Sequence, residues 1–123
     1  MKKVLILVAV SEAATGIALL IAPSLVGWLL FGAQAAGVGI LLARVTGIAL
    51  IALGVACWPS RNPFQAFLGM LTFSSIAMLY LIYVGANGWA GPLLWPAVAV
   101  HAGFAALLIL MWQKERPAPL ATT

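Results

Sequence analysis

A chain of 123 residues makes one domain at most. Its composition, 65% hydrophobic and 7% charged, excludes a water-soluble globule, which normally carries about a quarter of its residues as charges. The net charge of +4 does not indicate a nucleic-acid partner: Lys2, Lys3, Arg61, Lys114 and Arg116 flank apolar runs instead of forming a patch, which is the distribution that orients a membrane protein.

Four apolar runs follow, each near the ~20 residues that cross a ~30 Å hydrocarbon layer. The first covers about residues 4–22. Lys2-Lys3 ahead of it imitates a secretory leader and Ser11-Glu12-Ala13 a cleavage site, but apolar sequence resumes through Ile21, so the run reads as an uncleaved span. Pro23 interrupts it by removing a backbone donor. Residues 24–32 are expected to form a broken helix turned along the membrane interface, with Trp28 at headgroup depth. The second run covers about 36–58 and stops at Pro59-Ser60-Arg61-Asn62-Pro63. The third, about 64–86, ends at Asn87-Gly88, and the fourth, about 92–112, ends before Gln113-Lys114-Glu115-Arg116. Residues 117–123 are expected to be a flexible cytoplasmic tail.

The expected fold is therefore all-α: an integral membrane four-helix bundle, a single domain over residues 1–116. Helices are required because open strands would leave backbone groups unpaired in lipid, and the alternation of a membrane barrel is absent. Lys and Arg occur at both ends and in the second connection, and none lies in the first or third. Four spans put those charges on one side, so the N and C termini are expected to be cytoplasmic.

Thr15-Gly16-Ile17-Ala18-Leu19 returns 31 positions later as Thr46-Gly47-Ile48-Ala49-Leu50. A duplication of helices and a chance match in the small alphabet of membrane sequence both explain it. Gly39, Ala43 and Gly47 recur every four residues, with Ala14 and Ala18 as a weaker pair, and small residues at this spacing predict close helix packing. Cys57 is the single cysteine, which excludes an intrachain disulfide and a thiol-only metal cluster.

Three ionisable residues interrupt the spans: Glu12, Arg44 and His101. Insertion of Asp, Lys or Arg at the bilayer centre costs at least ~2.5 kcal/mol, so partners are expected. Counting 1.5 Å per residue, Glu12 lies roughly 12 Å from the cytoplasmic edge, Arg44 roughly 18 Å and His101 roughly 16 Å, with Ser74 and Ser75 at about 15–17 Å. Every span thus places a polar group near one level. In one reading Glu12 and Arg44 form a buried bidentate pair that fixes helix pairing, with the serines and His101 as hydrogen-bonding glue. In the other the layer lines a pocket in which Glu12 and His101 carry protons or touch a ligand, with Arg44, Ser74, Ser75 and Thr15 around them. One histidine makes a poor haem or metal case, and the sequence names no cofactor.

Glu12 running through Gly16 to Ala22-Pro23, followed by Ala43-Arg44-Val45-Thr46-Gly47 and Ala52-Leu53-Gly54, resembles the DoxX-like group of small bacterial four-helix membrane proteins. The resemblance covers about the first half of the chain. It implies a bacterial source and importance for the Glu12 and Arg44 positions. The group's name-giving member is associated with a thiosulfate:quinone oxidoreductase, which implies a quinone-linked or accessory role, but no catalytic motif of that enzyme is matched. The expected function is a multi-pass protein of the bacterial inner (cytoplasmic) membrane. It would be non-enzymatic and would bind a small hydrophobic ligand, lipid or quinone-like, or serve as an accessory subunit of a membrane complex. The bilayer is the expected partner, with a membrane protein or a second copy beside it and no nucleic acid. The alternative is a proton-coupled small-molecule transporter using Glu12, since length, helix number and a carboxylate in the first span also resemble the small multidrug antiporters. An enzyme using Glu12 and His101 as a proton-transfer pair requires the two side chains to reach one substrate.

Overall fold

Proline and asparagine set where the helices start and stop. The computed structural model describes residues 1–116, and the expected tail at 117–123 lies outside the described residues. Within them the chain forms five α-helices and no strand: α1 (Lys2–Ile21), α2 (Pro23–Phe31), α3 (Val38–Ala56), α4 (Pro63–Ala86) and α5 (Leu94–Glu115). Four of these, all but α2, are long and apolar enough to cross a membrane. The break after α1 falls at Ala22, whose non-helical backbone (φ −133°, ψ 62°) turns the chain before Pro23 opens α2. Proline fits there because the first-turn amides of a helix have no intrahelical acceptor. Pro63 opens α4 in the same way, and the Asn62 side chain caps that helix by accepting from the Phe64 amide at 3.1 Å. At the other end of α4, the Asn87 side chain donates to the Tyr83 carbonyl at 2.7 Å.

α1 packs mainly along α3, and α4 mainly along α5. The α1–α3 seam is a backbone contact. A Cβ placed on Gly16 would lie 2.5 Å from the Gly47 carbonyl oxygen, one on Gly47 would lie 2.5 Å from that of Gly16, and one on Gly54 would lie 2.8 Å from that of Ala9. Of the expected stripe at Gly39, Ala43 and Gly47, Gly47 packs against the α1 backbone, a Cβ on Gly39 would meet no atom of α1, and Ala43 lines the space between the helix pairs. A four-residue step turns about 40° around a helix, so Gly39 has rotated about 80° off the seam, whereas the seven-residue step to Gly54 returns to within about 20° of it. Ala14 and Ala18 are exposed and take no part in the seam.

The two helix pairs join at the end that holds Met1 and Glu115. Leu5, Val8 and Ala9 of α1, Cys57 at the end of α3, Ala66, Phe67 and Met70 at the start of α4, and Phe104 and Leu108 of α5 form the buried core there. The Phe67 and Trp112 rings stack at 4.7 Å, and the Met1 amine meets the Glu115 carboxylate at 2.6 Å. Bulky side chains fill this end. At the opposite end the facing residues of α3 are Gly39, Ala43 and Thr46, too small to fill the gap between the pairs, and the bundle opens. Outward faces are mainly apolar, with Leu41, Val45, Ile48, Ile76 and Leu79 all exposed.

Candidate functional site

The opening is a cavity of about 750 Å³ between the α1–α3 and α4–α5 pairs. Its α1 wall is Glu12, Thr15 and Leu19, and its α3 wall is Gly39, Ala43, Thr46 and Leu50. The repeated sequence explains this arrangement. About the Gly16–Gly47 crossing, Glu12 corresponds to Ala43, Thr15 to Thr46 and Leu19 to Leu50, and all six face the cavity. The echo therefore marks equivalent positions of α1 and α3 about that crossing, with a methyl at Ala43 where α1 carries the carboxylate.

Phe73, Ala77, Tyr80 and Leu81 of α4 and His101 of α5 close the far side. The mouth is covered by α2, whose Val26, Gly27, Leu30 and Phe31 line the cavity. Three hydrogen bonds strap that helix down. The Gly91 amide donates to the Leu30 carbonyl at 2.9 Å, the Leu93 amide donates to that of Leu29 at 2.8 Å, and the Ser24 hydroxyl donates to that of Ala35 at 3.0 Å. Gly91 is required at this join, since a Cβ there would collide with the Trp28 and Leu29 carbonyl oxygens. Sequence reasoning missed these α2 residues as cavity wall, and missed Tyr80 and Trp89.

At the cavity floor Glu12 is 3% exposed and accepts no hydrogen bond from the described residues. His101 Nδ1 lies 3.8 Å from Glu12 Oε1. That distance is close enough for charges to interact but too long for a hydrogen bond, and Nδ1 is accordingly a buried atom without a partner. The imidazole is held by ring edges, with Phe73 at 5.8 Å and Phe104 at 6.4 Å, both nearly perpendicular to it. A carboxylate and an imidazole from α1 and α5 thus meet with hydrogen-bonding capacity unspent, in a wall otherwise mostly apolar.

The other expected site residues distribute differently. Thr15 lines the cavity, but its hydroxyl already donates to the Ser11 carbonyl at 2.9 Å, as Thr46 does to Leu42 at 2.8 Å. Ser74 is fully buried with an unpartnered hydroxyl, and neither it nor half-buried Ser75 is among the cavity-lining residues. Arg44 is exposed, on the flank of α3 away from the cavity. The expected Glu12–Arg44 pair does not form: the register set by the Gly16–Gly47 and Ala9–Gly54 contacts puts Arg44 level with Leu19, seven residues or about 10 Å beyond Glu12 along the seam, and on the exposed flank. Among the described residues no three His, Cys, Asp or Glu side chains gather to hold a metal. A second groove of about 750 Å³ runs along α4 past Gln65, Thr72 and Ile76, without an acid, a base or a cation.

Comparison of the chain with protein-family models, with curated proteins and with solved structures produced no match.

Proposed function

We propose that this is a multi-pass membrane protein whose cavity binds a small hydrophobic ligand, lipid or quinone-like, with the ligand's polar head at Glu12 and His101. The carrying observation is a carboxylate, buried and without a hydrogen bond, at the floor of an apolar cavity of about 750 Å³. That volume falls within the range of small-molecule sites, which pair apolar walls with a few convergent polar groups. A buried polar group left unpaired is costly, so a ligand hydroxyl, amine or carbonyl that satisfies it gains affinity and orientation together. The four long apolar helices and their apolar outward faces support lipid as the surrounding solvent. The flanking lysines and arginines support a cytoplasmic position for both termini, and the resemblance of the first half to the DoxX-like group supports a bacterial inner membrane. The role is binding, as a carrier or as an accessory subunit of a membrane complex.

Titration of the full chain in mild detergent with a short-chain ubiquinone tests this, read by quenching of tryptophan fluorescence, since Trp89 lines the cavity. Saturable quenching is expected. It is lost in Ala43→Phe, which fills the cavity, and weakened in Glu12→Gln. Saturation unaltered in Ala43→Phe refutes the site. If quinone gives no saturable signal, mass analysis of lipid co-purified with the wild type and with Ala43→Phe decides between a lipid ligand and no ligand.

One observation favours a second reading. With Arg44 outside, no guanidinium competes for a cation at Glu12, so the carboxylate is available as a proton or cation site. The packed core at the termini end opposes transport, because a substrate would have to part Leu5, Met70 and Leu108 to pass through. Absence of proton-coupled flux in proteoliposomes across a cation panel would remove this reading.

A further inference from the structure

We propose that the cavity's ligand comes and goes sideways, through the cleft between α3 and α4, so that the site takes amphiphiles already dissolved in the bilayer and not molecules arriving from water. This deepens the binding reading above and rests on it. Direct packing closes the neighbouring sides. The Gly16–Gly47 contact seals α1 against α3, α4 lies along α5, and α1 packs on both. The buried core plugs the end at Met1 and Glu115. Across the other end α2 is strapped by its three hydrogen bonds, with Val26 and Leu30 facing the cavity and Leu25 and Trp28 exposed outside.

The side between α3 and α4 has no such closure. α3 packs along α1 and leaves α4 almost untouched. The two approach at one end, where a Cβ on Gly69 would lie 2.8 Å from the Cys57 sulfur, and toward α2 the cavity separates them. Three side chains show that this cleft reaches the outside. Phe73, Ala77 and Tyr80 line the cavity and equally line the groove on the outer surface of α4, and Tyr80 is 60% exposed. That groove needs no occupant of its own, because it is where the cavity wall continues into the lipid-facing surface. On the opposite lip Thr46 is exposed while lining the cavity, and its hydroxyl is already spent on the Leu42 carbonyl. A ligand sliding in between the lips therefore meets apolar groups until it reaches Glu12 and His101 at the floor. An opening onto lipid supplies molecules from the hydrocarbon phase, where a hydrophobic ligand is concentrated.

The test follows tryptophan quenching by short-chain ubiquinone in time, with the full chain in phospholipid nanodiscs. Leu42→Cys and Tyr83→Cys are combined in a Cys57→Ala chain. Leu42 lies one turn before Thr46, and the Tyr83 ring stacks on Tyr80 at 6.3 Å. Both are exposed and neither lines the cavity. Both also stand roughly 22 Å along their helices from the Cys57–Gly69 approach, so they are level at the wide end of the cleft. Joining the two thiols with a bis-maleimide that contains a reducible disulfide narrows that end. Association and release should both slow, by on the order of tenfold, with Kd unchanged, because a barrier on the path alters neither end state. Reducing the linker restores the rates of the untied protein. A second pair, Leu29→Cys with Leu93→Cys, ties α2 to the connection that it already bonds and leaves the rates unaltered. Rates unchanged by the α3–α4 tie, or slowed by the α2 tie instead, overturn the proposal. Absence of saturable quenching before any linker is added refutes the ligand, and the route with it.

Discussion

Gly47→Ala is expected to destabilise the bundle by about 2–3 kcal/mol, the upper part of the range for forcing one methyl into a packed interface. The new Cβ would lie 2.5 Å from the Gly16 carbonyl oxygen and 3.1 Å from both Leu19 Cβ and the Leu20 amide nitrogen. Two of those three atoms are backbone, so no side-chain rotation relieves the clash and α1 must move off α3 by most of an ångström. That displacement loosens the neighbouring Gly54–Ala9 approach as well, where close backbones gain dispersion energy. Gly16→Ala makes the reciprocal clash. Because a single separation of the helices relieves both, the double variant should cost clearly less than the sum of the two singles. Gly39→Ala is the control, since its Cβ would meet nothing closer than Ala35 Cβ at 3.9 Å. Unfolding in mixed micelles with increasing dodecyl sulfate, followed by tryptophan fluorescence, measures all four. Wild-type stability for Gly47→Ala, or equal damage from Gly39→Ala, would refute the seam.

Glu12→Leu should leave the bundle equally stable or stabilise it by about 1–3 kcal/mol in the same assay, while saturable ligand quenching disappears, because apolar replacement of buried charge removes a desolvation cost. A stability loss above about 2 kcal/mol would instead make the Glu12–His101 contact structural. Phe67→Ala should cost about 3–5 kcal/mol, since the ring is buried at the junction of the helix pairs and stacked on Trp112; a loss under about 1 kcal/mol would mean that the termini end is not the main core. Cys57 is 6% exposed and packed so closely that a Cβ on Gly69 would lie 2.8 Å from its sulfur. Maleimide should therefore label it slowly in the folded protein and completely after unfolding, and rapid labelling of the folded form would contradict that packing.

The helices themselves were legible because their signals are local. The stop at Pro59–Pro63, the turn at Asn87-Gly88 and the break at Pro23 appear within two residues of their expected positions. Residues 24–32 were expected as a broken helix and do form a separate one, α2. Glu12 and His101 were identified as site candidates from charge and depth and Thr15 from its place beside Glu12 on α1, and the cavity brings those three together. Arg44 satisfied the same depth criterion but faces the opposite flank.

Sequence by itself determined the long apolar helices and their approximate limits, since hydropathy and turn residues act along the chain. Tertiary structure alone decided the rotation of each helix about its axis. In a soluble bundle water would reveal it, because polar residues mark the outer face. Here the outer face is as apolar as the inner one, and rotation follows from where two backbones can touch. The Gly16–Gly47 contact fixes that angle, turning Glu12 inward and Arg44 outward.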